Sequence, residues 1–312
     1  MINPRVGIEG VFAAAFTAFL DDRAVDVART ARHAVALLGQ GCDGIALLGT
    51  TGEANSLSLS ERKRVLEAAV EAGVSPSKLL PGTGVCSVPE TVELTRHARA
   101  LGVSAVLLLP PFYYPDPSEA GLVAHYSRVI DSVADGALRV LLYHIPQNTG
   151  VAITPSLIAA LDRRFPGVIA GIKDSGGDLD RMRALVTAFP HLAIFAGADP
   201  LLAPLLRAGG AGCITATSNL IAPLLVQLRD RVKAGQGPGE TAELERRITD
   251  ARALFQRWPQ IPALKAAQAA ITGEAAWGNV RPPLLPLDDS DRDALVTAIA
   301  AGGLTTPREG KF

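Results

Sequence analysis

Short apolar runs alternate with longer amphipathic segments over most of the chain. Each apolar run has the length and residue types of a strand, and each is followed by a segment with apolar residues at helical spacing. The eight strand-like runs cover residues 10–19, 44–50, 79–84, 105–110, 139–145, 168–173, 193–197 and 212–217. Strands that are apolar on both faces and always followed by a helix indicate a parallel sheet, and eight such units predict a closed (β/α)8 TIM barrel of the α/β class.

The chain continues beyond these eight units. After a turn-rich stretch at residues 235–239, further helical patterns follow at 240–258, 261–272 and 289–301. We therefore expect a catalytic barrel over residues 1–235 and a C-terminal helical extension packed on it over residues 236–312, with a frayed tail at 302–312. Ser60, Ser118 and Thr154 stand where helix N-caps are expected. A doubly wound sheet would need a nucleotide-binding fingerprint, and no GxGxxG opens a helix after a predicted strand.

Composition narrows the function classes. The 312 residues include 30 basic and 31 acidic side chains, so a net charge of −1 favours neither nucleic acid nor an anionic membrane as a partner. Three scattered cysteines, with no CxxC or Cys/His cluster, predict reduced thiols, a cytoplasmic location and no metal site. The sequence also has no metal-ligand cluster and no phosphate-binding loop, so we expect no cofactor. The most apolar N-terminal run, residues 11–20, is too short to span a bilayer and lacks the features of a signal peptide.

The candidate chemistry is centred on Lys173. It is one of six lysines among the 30 basic residues, and it ends the apolar run VIAGIK. Arginine stays protonated in proteins, whereas a desolvated lysine can lose its proton and attack a carbonyl to form a Schiff base. The alternative is a lysine at a strand end that snorkels to solvent or forms an ion pair with Asp174.

Two other predicted strands end in residues with compatible chemistry. One run ends in Gly49, Thr50 and Thr51, where backbone N–H groups and hydroxyls can hold a carboxylate; another ends in Tyr143. The carboxyl ends of barrel strands face one space, so these groups would meet Lys173 there. A Schiff-base reaction on a 2-oxo acid needs such a set: an amine, an acid/base and a carboxylate site. Taken singly, the threonine pair is more often a turn, and the tyrosine is more often a packing residue.

The motifs GTTGE at 49–53, PFYY at 111–114, YHIP at 143–146, GIKD at 171–174 and IPALK at 261–265 occur together. In this combination the sequence resembles the dihydrodipicolinate synthase and N-acetylneuraminate lyase family of class I aldolases over nearly its whole length. The resemblance implies a homotetramer built from dimers, with pyruvate or another 2-oxo acid as the small-molecule substrate.

The resemblance also implies roles for individual residues. Lys173 would form the Schiff base, Tyr143 would relay protons, and Thr50 would link it to a second tyrosine. That tyrosine would be Tyr113, or Tyr114 if the local alignment slips by one residue, inserted into a neighbouring subunit's site.

Other positions would surround the substrate. Thr51, with the backbone near Gly49, would hold the carboxylate of bound pyruvate. Gly197 would leave space in the pyruvate pocket, and Ile214 would pack against the substrate.

The position of greatest consequence for substrate choice is Asn148. Dihydrodipicolinate synthases ordinarily carry an arginine there, and asparagine supplies neither its charge nor its bidentate fork. The stretches PQNTG and KDSGGD resemble instead the branch with 4-hydroxy-2-oxoglutarate aldolase and 2-keto-3-deoxy sugar-acid aldolases. The leading interpretation is an aldolase that joins or splits pyruvate and an aldehyde. The alternatives are dihydrodipicolinate synthase, a dehydratase of the same family and a non-catalytic barrel that binds a 2-oxo acid.

Overall fold

The computed structural model describes residues 7–302, and its strands form one parallel sheet in the order β2-β1-β7-β6-β5-β4-β3. The strands are β1 Gly10–Ala14, β2 Gly44–Ala46, β3 Ala105–Leu108, β4 Arg139–His144, β5 Ile169–Asp174, β6 Ala193–Ala196 and β7 Gly212–Thr215. They match seven of the eight predicted runs, so the predicted parallel α/β barrel is confirmed.

Helices follow the strands around the outside. They are α1 Val27–Gly39, α2 Leu59–Glu71, α3 Val88–Ala100, α4 Glu119–Val133, α5 Pro146–Thr149, α6 Pro155–Arg164, α7 Leu179–Ala188, α8 Leu202–Arg207, α9 Ser218–Lys233, α10 Pro238–Phe255, α11 Gln260–Thr272 and α12 Asp289–Ala301. Ser118 and Thr154 cap α4 and α6 as expected. The prediction for Ser60 was wrong, because Ser58 caps α2 in a reciprocal capping box with Glu61.

The predicted strand at residues 79–84 joins the two edges of the sheet without forming a regular ladder. Leu80 N donates to Ile45 O at 2.9 Å on one side, and Leu107 N donates to Pro81 O at 2.9 Å on the other. Pro81 has no N–H to donate, which interrupts a continuous ladder. Gly82 is required by close packing, since a Cβ there would lie 2.3 Å from Leu48 O. This segment therefore closes the barrel.

Side chains alternate between the inside and the outside of the barrel along each strand. In β4, Leu141 and Tyr143 belong to the cluster that fills the interior, while Val140 and Leu142 belong to the larger cluster under the helices. His144 follows this alternation, and its Nδ1 accepts a hydrogen bond from Ile153 N at 3.1 Å. The alternation is what directs Tyr143 into the barrel.

The last three helices, α10 to α12, follow the barrel in sequence. The division between a barrel ending at residue 235 and an extension beginning at 236 stays a prediction, and all but the first residue of the predicted frayed tail lies outside the described residues. Within residues 7–302, no helix is both long enough and apolar enough to cross a bilayer.

Candidate active site

Lys173 and Tyr143 lie side by side at the carboxyl ends of their strands. They are register partners on β5 and β4, each one residue before its strand ends. The Lys173 Nζ lies 4.4 Å from the centroid of the Tyr143 ring. Both residues are almost buried, with 5% of Lys173 and 4% of Tyr143 exposed. The amine therefore faces the inside of the barrel mouth and a phenol.

The alternative interpretation of Lys173 as the ion-pair partner of Asp174 is wrong. Asp174 is fully buried on the opposite side of β5, where its carboxylate accepts from Arg181 Nε at 2.8 Å and from Gly176 N at 2.9 Å. Its charge is compensated there. The Lys173 amine is therefore available to a ligand in the cavity.

The Tyr143 hydroxyl has partners that ease its loss of a proton. It lies 3.3 Å from the Thr50 hydroxyl. Burial is the largest single influence and raises the pKa of Tyr143, but the charge of Lys173 and hydrogen bonds from Thr50, Lys173 and Ser175 together hold that pKa below its ordinary value. A phenol with a lowered pKa next to an amine can pass protons in both directions.

A cavity of about 280 Å³ opens over these groups. Seven of the nine predicted site residues line it: Thr50, Thr51, Tyr143, Asn148, Lys173, Gly197 and Ile214. Gly49 lies outside it and lines a smaller neighbouring cavity, which it shares with Thr50 and Tyr143.

Tyr113 is away from this cavity within its own chain. It lies in the loop before α4 with 76% of its surface exposed, and Tyr114 is exposed to the same extent. The two rings pack edge to face with centroids 5.4 Å apart. The single chain thus does not bring either tyrosine to Lys173.

A buried ion pair stabilises the turn that contains Thr50 and Thr51. Lys265 Nζ donates to Glu53 Oε1 at 2.7 Å and to Thr17 O at 2.9 Å, and Glu53 Oε2 accepts from Arg281 N at 2.9 Å. Burial lowers the pKa of Lys265 to about 8, against the opposing attraction of Glu53. With its amine taken up by two acceptors in the core, Lys265 is a structural lysine.

Gly197 matters because of its neighbour Ser175. A Cβ at Gly197 would lie 2.1 Å from Ser175 Oγ and 2.7 Å from Ser175 Cα, so only glycine lets this serine occupy its place beside the cavity. Ser175 also accepts, at its carbonyl oxygen, a hydrogen bond of 2.9 Å from Gln147 Nε2. Ser175 follows Lys173 by two residues, so strand alternation is the sequence signal that indicates a place for it on the same side as Lys173.

Further lining residues, which were not expected from the sequence, come from loops and from α5, α10 and α11. The polar members of that group are Gln147, Ser175, Arg252 and Gln260. Arg252 and Gln260 lie far along the chain from the strand ends, and nothing in their local sequence marks them as facing the cavity.

A parallel barrel with a buried amine and a phenol at the carboxyl ends of adjacent strands defines a barrel enzyme with its chemistry at that mouth. The sequence model of the dihydrodipicolinate synthetase family matches residues 7–302, and the chain belongs to that family. The resemblance noted from the motifs is thereby confirmed, and the chain is an enzyme of a lyase family.

Similar proteins cover almost the entire chain. An uncharacterized DapA-like lyase of Chloroflexus aurantiacus is 38% identical over 98% of this chain and 100% of its own length. The crystal structure of dihydrodipicolinate synthase from Agrobacterium tumefaciens superposes with a TM-score of 0.85 at 32% identity, covering 94% of this chain and 98% of that one. YagE, an E. coli K12 prophage protein of the same family solved in complex with pyruvate, superposes with a TM-score of 0.87 at 29% identity, covering 96% and 100% of the two chains.

Proposed function

We propose that this protein is a Schiff-base aldolase that cleaves a 4-hydroxy-2-oxo acid into pyruvate and an aldehyde, or joins the two. The observation that carries the proposal is the buried Lys173 amine, 4.4 Å from the ring of Tyr143 at the mouth of the barrel. A nucleophilic amine beside a proton-transfer group is the minimum that imine chemistry requires.

The reaction begins at Lys173. Its neutral amine attacks the C2 carbonyl of the substrate, and loss of water from the carbinolamine leaves an imine. Tyr143 takes the proton of the C4 hydroxyl as the C3–C4 bond breaks; the aldehyde departs, and the bonding electrons pass into the imine to form an enamine. Protonation at C3 and hydrolysis then release pyruvate and regenerate the amine. None of these steps consumes an oxidant or a reductant.

The remaining residues hold the pyruvate half and connect the protons. Thr51 and the backbone near Gly49 bind the C1 carboxylate, and Gly197 and Ile214 shape the pocket around the methylene carbon. Thr50, whose hydroxyl is 3.3 Å from that of Tyr143, passes the proton onward. The pyruvate in the YagE complex supports a pyruvate-derived intermediate here.

Tyr113 completes the relay from a second subunit of a homotetramer. Two large aromatic side chains standing exposed together, as Tyr113 and Tyr114 do, are typical of a surface that another chain covers. The three cysteines are free, which supports a cytoplasmic location.

Asn148 supports a 4-hydroxy-2-oxo acid as the substrate. It lines the cavity and offers one amide where the synthases ordinarily present a guanidinium. A cavity of about 280 Å³ lies just below the range for small-molecule sites, about 300–1,000 Å³, which favours a short substrate.

A second candidate is 4-hydroxy-tetrahydrodipicolinate synthesis from pyruvate and aspartate semialdehyde. Two observations favour it: the 32% identical neighbour from Agrobacterium tumefaciens is a dihydrodipicolinate synthase, and Arg252 brings a guanidinium to the cavity from another element. A coupled assay that follows the consumption of aspartate semialdehyde tests this candidate directly.

The proposed aldolase is tested by pyruvate release. Wild-type protein incubated with 4-hydroxy-2-oxoglutarate and with 2-keto-3-deoxygluconate should release pyruvate from at least one of them, followed with lactate dehydrogenase. A Lys173→Ala variant should release none, while Lys233→Ala, at an exposed lysine of α9, should match the wild type. Full turnover by Lys173→Ala would refute the assignment.

A further inference from the structure

The cavity holds a second cationic residue whose purpose the imine chemistry does not explain. Arg252 comes from the last turn of α10 and lines the same space as Lys173. Its neighbours on the helix, Ile248 one turn earlier and Phe255 just after, are fully buried in the core. These contacts fix the face of α10 that meets the barrel and thereby aim Arg252 at the cavity.

A buried carboxylate holds Arg252 in place. Asp199 is fully buried, its Oδ2 lies 3.4 Å from Arg252 Nη1, and its Oδ1 has no hydrogen-bond partner among residues 7–302. A buried charge without a counter-charge costs several kcal/mol, so the Asp199 carboxylate strongly favours the guanidinium staying where it is. Asp199 directly follows Gly197 and Ala198, which line the cavity, so it anchors the arginine at the wall of the substrate site.

The rest of the cavity wall favours an anion next to Arg252. None of the lining residues in the described part of the chain is acidic. Only 18% of the Arg252 side chain is exposed, and Asp199 is the one side chain in the described structure to which its guanidinium donates a hydrogen bond. A planar guanidinium carries five donors, so most of them remain for a ligand, and a partly desolvated fork binds a carboxylate in preference to a hydroxyl.

The pyruvate half of the substrate is already bound by Lys173, by Thr51 and by the backbone near Gly49. The geometry points to Arg252, positioned by Asp199, as the group that binds a carboxylate on the aldehyde half, so that the substrate is a dicarboxylic 4-hydroxy-2-oxo acid in preference to a sugar acid with a neutral tail. This inference rests on the proposed aldolase function and specifies its substrate class. The amides of Asn148, Gln147 and Gln260 then serve the C4 hydroxyl and the outer rim.

The first test uses the wild-type protein and a matched pair of 2-oxo acids that can form the imine but lack the C4 hydroxyl needed for cleavage. 2-Oxoglutarate and 2-oxopentanoate have the same number of carbons and differ in the second carboxylate. Each is incubated with the protein over a range of concentrations, reduced with borohydride and quantified on the peptide that carries Lys173. We expect 2-oxoglutarate to reach half-maximal trapping at a concentration about tenfold to a hundredfold lower, the ratio of one charge-assisted hydrogen-bonded contact. Equal concentrations would overturn the inference.

Variants then assign the preference to Arg252. Arg252→Gln, shown by thermal melting to be folded, should abolish the preference for 2-oxoglutarate over 2-oxopentanoate, and Arg252→Lys should retain part of that preference. Arg246→Gln removes an exposed arginine from the same helix and should leave the preference intact. Asp199→Asn, once its melting temperature is shown to match that of the wild type, should weaken the preference because Arg252 is no longer held in place. If Arg252→Gln kept the wild-type preference, the inference would fail.

The two hypotheses fail in different ways. If pyruvate forms no adduct at Lys173 in the wild type, the proposed function is wrong. If pyruvate is trapped but the second carboxylate has no effect, the proposed function stands and the role of Arg252 is wrong. Kinetic constants provide a second measurement, because loss of a binding contact should raise KM for 4-hydroxy-2-oxoglutarate and leave KM for 2-keto-3-deoxygluconate nearly unchanged.

Discussion

Replacing Tyr143 with phenylalanine removes only the phenolic hydroxyl and thereby separates its role from that of the ring. The ring stays over Lys173 Nζ, 4.4 Å from the centroid, and continues to pack in the barrel interior. The change removes the hydrogen bonds of the phenol with the Thr50, Lys173 and Ser175 side chains, all of which line the open cavity, where water can replace the phenol. We therefore expect a change of less than about 1 kcal/mol in the free energy of unfolding. General acid–base catalysis contributes about 10²- to 10⁴-fold, so kcat/KM for pyruvate release should fall by about that factor, equivalent to about 3–5 kcal/mol in the activation free energy.

The assay is pyruvate release at saturating and subsaturating substrate, with thermal melting of each variant. Tyr126→Phe is the matched control: Tyr126 is fully buried, and its hydroxyl has no partner among residues 7–302. That control should retain wild-type activity and should be equally or more stable, because it removes a buried polar atom that lacks a hydrogen bond. A folded Tyr143→Phe protein that kept more than about a tenth of wild-type turnover would refute the proton-transfer role.

Three further predictions address stability and the pocket. Burial lowers the pKa of His33 from 6.5 to about 4, so between those pH values the unfolded chain binds a proton that the native chain does not. The free energy of unfolding should therefore fall by about 3 kcal/mol as the pH drops from 6.5 to 4. Urea unfolding of His33→Gln should show a smaller loss over the same pH range. Glu53→Gln leaves the Lys265 ammonium buried without its counter-charge and should cost about 3–5 kcal/mol in urea unfolding, and a loss under about 1 kcal/mol would contradict that view of the pair. Gly197→Ala places a Cβ 2.1 Å from Ser175 Oγ and should reduce pyruvate trapping at least about tenfold, and trapping at the wild-type level would contradict the packing argument.

The architecture was largely predictable because its signal is local and repeated. An apolar run followed by a helical segment recurs through the chain, and each repetition is independent support for a parallel barrel. The pattern was less informative where tertiary contacts replace the hydrogen bonds between neighbouring strands. The first run was predicted to extend over residues 10–19, yet β1 ends at Ala14, and the following Phe16 donates its N–H to the Asn219 side chain at 3.2 Å. A hydrogen bond between residues more than 200 positions apart in the sequence cannot be predicted from a local pattern.

The site was predictable in part for the same reason. Strand ends in a barrel converge, so Lys173, Tyr143 and Thr50 could be expected to lie together from their places in the repeating pattern. Arg252 could not be found that way, since its position depends on how α10 packs against the barrel and on a carboxylate at Asp199. The location of Tyr113 depends on a second subunit, which one sequence does not specify.

The central claim is that the Lys173 amine forms an imine with a 2-oxo acid. Reduction of the native protein with borohydride in the presence of pyruvate, followed by peptide mass mapping, tests this claim independently of the substrate. We expect one reduced pyruvate adduct, on the peptide containing Lys173, and none in Lys173→Ala. An adduct on Lys265 or on a surface lysine, or no adduct at all, would contradict it.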